Sequence, residues 1–109
     1  MERTLEEMLA DKFWKLLADI ASSDPQELMD RDKSYGSSWK KRGGIGAFMM
    51  AARKWDRIEK QSQEQGFDIF EAARADGYEE SGILDDIKDL RRYLLLIETE
   101  IRLRSGVVE

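Results

Sequence analysis

Residues 45–65, IGAFMMAARKWDRIEKQSQEQ, decide how this chain folds. Apolar side chains recur there at spacings of three and four, the period of a helix and not the two-residue alternation of a strand. Gly66 follows at once, and glycine readily ends a helix. At about 100° per residue, Phe48, Met49, Ala52 and Trp55 define an apolar face. Glu59 falls almost on the azimuth of Ile45, Ala52 and Trp55, and Asp56 falls between those of Met49 and Ile45. Both acids of this DRIE run therefore project into the packing face or right beside it. Arg53 sits at its edge, while Lys54 and Arg57 turn outward.

The same period extends in both directions. Leu5, Met8, Leu9, Phe13, Leu16, Leu17 and Ile20 predict a helix over 4–21, capped by Thr4 with Glu7 three residues later. The run SSDPQE then reads as a stop and restart, with Ser23 or Asp24 as N-cap and Pro25 in the first turn of a short helix fading at Gly36. FDIFEAARADG makes a short peripheral helix closed by Gly77, and YEESG a connector. A last helix over about 83–103 carries the stripe Ile83, Ile87, Leu90, Leu94, Ile97 and Ile101. No segment alternates as a strand would. The expected fold is all-α: one domain over residues 1–109, a bundle of three main helices with short helices between them. A chain this short leaves much surface uncovered, so completion of the bundle by oligomerisation, as a homodimer or larger, is expected.

Composition narrows the chemistry. The net charge of −5 argues against general nucleic-acid binding, which needs a dominant positive field. Cysteine and histidine are both missing. That excludes disulfides, thiolate zinc sites, cysteine nucleophiles and serine–histidine triads, and leaves oxygen ligands for any metal. A metal here would be a hard cation, Mg²⁺ or Mn²⁺. Acids occupy the N-terminus and no apolar run nears a membrane span, so the expected location is cytoplasmic.

Carboxylates on the last helix complete a pattern. Asp86 lies about 60° from the centre of the apolar stripe and Asp89 about 120°, with Tyr93 between them, so both occupy a half-buried flank. Asp56 and Glu59 on one helix and Asp86 and Asp89 on another form two i, i+3 pairs. Unpartnered buried carboxylates are costly, so such pairs invite either a divalent cation or arginines. The ion-pair alternative has Asp56 and Glu59 bonding Arg53, Arg91 or Arg92.

The stretch DKSYGSSWKKRGG (32–44) stands out in an acidic chain. Lys40, Lys41 and Arg42 precede Gly43 and Gly44 at the start of a helix, where free backbone N–H groups can hold an anion. Lys33, Arg53 and Lys54 could add positive charge against phosphates, and Tyr35 or Trp39 could stack on a base. Helix start and acids lie about 17 Å apart along the axis. The alternative is a solvated loop with Trp39 closing the core.

DKSYGSSW, ARKWDRIEK and DDIKDLRRYLLL together resemble the nucleotide modification associated domain of phages and bacteria, over roughly residues 30–97. That resemblance implies a role around nucleotides. A more distant likeness is to the MazG-like all-α nucleoside triphosphate pyrophosphohydrolases, whose E-x-x-E and E-x-x-D acids bind Mg²⁺. Asp56-x-x-Glu59 and Asp86-x-x-Asp89 have that spacing across 26 intervening residues, with two glutamates shortened to aspartate. The resemblance implies catalytic, metal-binding roles for Asp56, Glu59, Asp86 and Asp89. Substrate contacts would then come from Lys33, Tyr35, Trp39, Lys40, Lys41, Arg42, Arg53, Lys54 and Tyr93. Three readings follow: a Mg²⁺-dependent nucleotide pyrophosphohydrolase, a nucleotide-sequestering protein without catalysis, and a helical interaction module that binds no small ligand.

Overall fold

A computed structural model describes residues 2–106. Four α-helices make up the described chain: α1 (Leu5–Tyr35), α2 (Gly43–Gln63), α3 (Ile69–Ala75) and α4 (Gly82–Ser105). Two single 3₁₀ turns, Ser38–Lys40 and Tyr78–Glu80, join them, and no strand occurs among the described residues. No helix among those residues is long and apolar enough to cross a membrane. The all-helical class is as the periodicity predicts. The chain divides after Gly36 into two compact units.

The first unit is α1. Thr4 caps it, its hydroxyl accepting the Glu7 N–H at 3.1 Å, and Glu6 and Glu7 suit the positive end of the helix. The predicted break at SSDPQE is absent, because α1 runs unbroken through Pro25. A proline inside a helix removes one N–H donor and crowds the preceding turn. Here Ser22 and Ser23 turn their hydroxyls back on that turn, donating to the carbonyls of Asp19 and Ile20 at 3.0 and 2.7 Å. Neither is the carbonyl that Pro25 leaves without its donor, which is that of Ala21 four residues earlier, and the helix continues across that single missing bond. It ends at Gly36, whose φ of 59° and ψ of −168° suit glycine alone, with the Gly36 N–H donating to the Asp32 carbonyl.

The second unit packs α2 against α4, with α3 across one end. Its buried apolar core is small: Ile58 of α2, Ala72 of α3 and Ile83 of α4, with Ala73, Ile87 and Leu90 packed against them. Asp68 caps α3 by accepting the N–H groups of Phe70 and Glu71, both at 3.1 Å. Ser81, fully buried, caps α4 by accepting the Leu84 N–H at 3.2 Å. Asp76 accepts the Gly82 N–H at 2.9 Å and ties the turn before α4 to its first residue. Gly106 closes α4 in the left-handed conformation.

The packing face of α2 is not the one its largest side chains predict. Ala47, Ile58 and Ser62 are buried, whereas Ile45 is 82 % exposed and Phe48, Met49 and Trp55 are all exposed. The face turned to α4 is rotated by about 120° from the predicted one. Small residues let the two helices approach closely, and the polar side chains interleaved with them find partners on α4.

Candidate functional site

The rotation of α2 decides where every predicted site residue lands. Lys54 and Arg57, expected to turn outward, instead reach α4. Lys54 Nζ lies 3.0 Å from Asp89 Oδ2 and 3.8 Å from Asp86 Oδ1. Arg57 Nε lies 3.1 and 3.2 Å from the two oxygens of Asp86. Gln61 Nε2 donates to Asp86 Oδ2 at 2.9 Å. Lys54, Arg57 and Gln61 fall at successive steps of three and four, a polar row facing the acids of α4.

Asp86 is buried, deeper than the half-buried flank expected of it, and Asp89 is half-buried one turn on. Asp56 and Glu59, expected at the packing face, are both exposed. The structure therefore brings Asp86 and Asp89 together around one ammonium and leaves the DRIE acids apart from them. No cluster of three or more potential metal-ligating side chains occurs among the described residues. The acids of α4 find cations in Lys54 and Arg57, whereas the ion-pair alternative concerned Asp56 and Glu59.

The basic stretch leads to a different feature. Trp39 and Lys40 lie in the 3₁₀ turn ahead of α2. Lys40 Nζ donates to Glu100 Oε1 of α4 at 2.7 Å and stands 5.7 Å from the centroid of the Trp39 ring. Arg104 Nε donates to Glu100 Oε2 at 2.9 Å. The hydrogen bond from Lys40, with a second from Arg104, holds the Glu100 carboxyl below its ordinary value. Lys41, Arg42 and Arg53 are exposed, and Tyr93 is half-buried on α4. Gly43, with φ of 72°, starts α2 in a conformation that favours glycine. Lys33 and Tyr35 belong to the last turns of α1, in the other unit, where Lys33 Nζ lies 3.9 Å from Asp30 Oδ1.

Beside the Lys40–Glu100 bridge lies an open apolar groove of about 730 Å³. Ala47, Ala51 and Ala52 lie along it on the α2 side with Phe48 and Trp55, and Leu90, Leu94, Ile97 and Ile101 face them from α4. Trp39 and Gly43 stand at one end, and Lys40, Glu100 and Arg104 supply its charged groups. Phe48 is 67 % exposed and Ile101 61 %. The alanines explain the depth: small residues in a row leave the space that larger ones would fill.

Residues read from sequence as closing the core thus line an unfilled groove. The available signal was that α2 carries apolar residues on two faces, Phe48, Ala52 and Trp55 on one and Ala47, Ala51 and Ile58 on the other. A helix with two apolar faces needs two covers, and α4 supplies one. Comparison of the chain with protein-family models, with curated proteins and with solved structures found no match.

Proposed function

We propose that this chain is a helical protein-interaction module whose groove between α2 and α4 receives an amphipathic helix, completing a bundle that the chain alone leaves open. The carrying observation is the groove itself. Large apolar side chains on both of its walls face water in a continuous band. Single exposed apolar residues are ordinary on protein surfaces, but a contiguous apolar band rimmed by charge marks a binding surface. Helix-in-groove recognition uses anchors at i, i+3, i+4 and i+7, and the groove's two parallel walls suit that pattern. Lys40 and Arg104 in the groove's lining, with Lys41 and Arg42 next in the turn, favour a partner helix with acidic flanks.

The test is a titration of the full chain against a fluorescently labelled 18-residue designed helix. That helix would carry leucines at i, i+3, i+4 and i+7 and glutamates elsewhere, with anisotropy as readout. Binding is expected, and the double variant Phe48→Glu, Leu94→Glu should weaken it at least tenfold. Both positions are exposed, so the fold survives the change. Binding unaffected by the double variant would remove the groove from the account.

A second reading draws on one observation: Asp86 and Asp89 both point at Lys54 Nζ, a place where two carboxylates already hold a cation. The Mg²⁺-dependent nucleotide pyrophosphohydrolase reading would use these acids for the metal and the basic turn for phosphates, and the nucleotide-sequestering reading would keep the turn alone. Melting curves with nucleoside triphosphate, with Mg²⁺ and with EDTA, separate the three. A Mg²⁺-dependent rise lost in Asp89→Asn would favour the hydrolase, a rise that survives EDTA the sequestering protein, and no rise the interaction module.

A further inference from the structure

Two apolar surfaces of this chain have no cover within their own unit. One is the groove. The other is the stripe of α1, where Leu5, Leu9, Phe13, Leu16 and Ile20 are all exposed. As a unit of one helix, α1 has no second element of its own to pack against that face. The two surfaces match in length. The stripe from Leu5 to Ile20 spans about 22 Å, the groove about 18 Å along α2 from Gly43 to Trp55, and about 21 Å along α4 from Leu90 to Arg104. They also match in charge. Residues 2–36 carry five cations and nine acids, whereas the groove's charged end has Lys40 and Arg104 against the single acid Glu100, with Lys41 and Arg42 next in the turn.

Resting on the interaction reading above, we infer that the groove's occupant is the α1 helix of a second copy of this chain. The exchange is reciprocal, so each copy gives its stripe to the other and receives one in return. Such an arrangement is self-complementary about a two-fold axis and uses the same pair of surfaces twice.

Within α1 the apolar surface is confined to the first half. The helix is unbroken to Tyr35, so the stripe ends 15 residues, about 22 Å, before the helix does. Residues 23–35 offer only Leu28, Met29 and Tyr35 as large apolar groups. What α1 presents to a second copy is therefore the stripe from Leu5 to Ile20, which matches the groove in length.

Sedimentation velocity on the full chain tests the exchange. The wild type should sediment at twice the 12.7 kDa chain mass at micromolar concentration. Two variants each remove one partner surface: Phe13→Glu, Leu16→Glu breaks the stripe, and Phe48→Glu, Leu94→Glu breaks the groove. Each alone should run at the single-chain mass with helical circular dichroism retained, since all four positions are exposed. A one-to-one mixture of the two should return to twice the chain mass, because one intact stripe then meets one intact groove. The stripe variant, its groove vacated, should bind the designed helix at least tenfold more tightly than the wild type.

A single-chain wild type, or a dimer that persists in either variant, overturns the exchange. If the wild type is a single chain and binds the designed helix as tightly as the stripe variant does, the exchange fails while the groove reading stands. If no form binds the helix, both fail together.

Discussion

Replacing Ile83 by alanine should cost about 3–4 kcal/mol of stability, the upper part of the range for truncating a buried isoleucine. Ile83 is 1 % exposed and touches a core whose other buried members are only Ile58 and Ala72. In a larger core, neighbours relax into a new cavity. Here the cavity would open where α2, α3 and α4 meet, and few side chains are available to fill it. In a unit of this size, each 1 kcal/mol moves the melting temperature by roughly 4–8 °C, so a fall of 12 °C or more is expected. Urea unfolding should show a lower midpoint with an unchanged slope. Ile83→Val, which removes one methylene, should cost about 1 kcal/mol. A loss below that for Ile83→Ala would mean that the stability of this unit resides elsewhere than in the three-helix junction.

Asp86→Ala should cost about 2 kcal/mol, for a different reason. Asp86 is 2 % exposed, accepts from Arg57 and Gln61 and lies 3.8 Å from Lys54. Lys54 keeps Asp89 at 3.0 Å, and Arg57 has 57 % of its side chain exposed and can turn to water, so neither cation is left uncompensated. The loss should come mainly from the Gln61 amide, left half-buried without its Asp86 acceptor, and from the space Asp86 filled. Replacing Asp86 by leucine together with Gln61 by methionine should recover much of it, since the acceptor and its donor leave together. Asp56→Ala and Glu59→Ala, at exposed positions, should each change stability by no more than about 0.5 kcal/mol. Chemical denaturation of the four variants side by side checks the contrast. Equal losses at Asp56 and Asp86 would contradict the packing of α2 described above.

These effects rest on an orientation that the sequence allowed but did not select. α2 offered two apolar faces, and reasoning from side-chain size chose the one with Phe48, Met49 and Trp55. Packing chose the other, because Ala47 and Ser62 permit close approach while Lys54, Arg57 and Gln61 find Asp86 and Asp89 across the contact. Hydrophobic area alone favours burying the larger face. Satisfying a buried aspartate is possible only with the polar row turned inward, and an unpaired carboxylate at that depth would be prohibitive. The same choice left Phe48 and Trp55 lining a groove.

What the sequence determined by itself was local. Spacing of three and four placed α2 and α4, and Gly66 and Gly77 marked where α2 and α3 close, because periodicity and capping act within a few residues. That Asp86 leaves the wet face of α4 was legible too, since its azimuth beside the stripe depends on its own helix alone, though its full burial was not. Continuity of α1 through Pro25 was less accessible, because a proline costs a helix one hydrogen bond and some crowding without forbidding it. The partners of Asp86, the exposure of Asp56 and Glu59, and the groove between α2 and α4 were decided only in three dimensions. Each depends on the rotation of one helix about its axis against another, and that angle is set by contacts between residues some thirty positions apart.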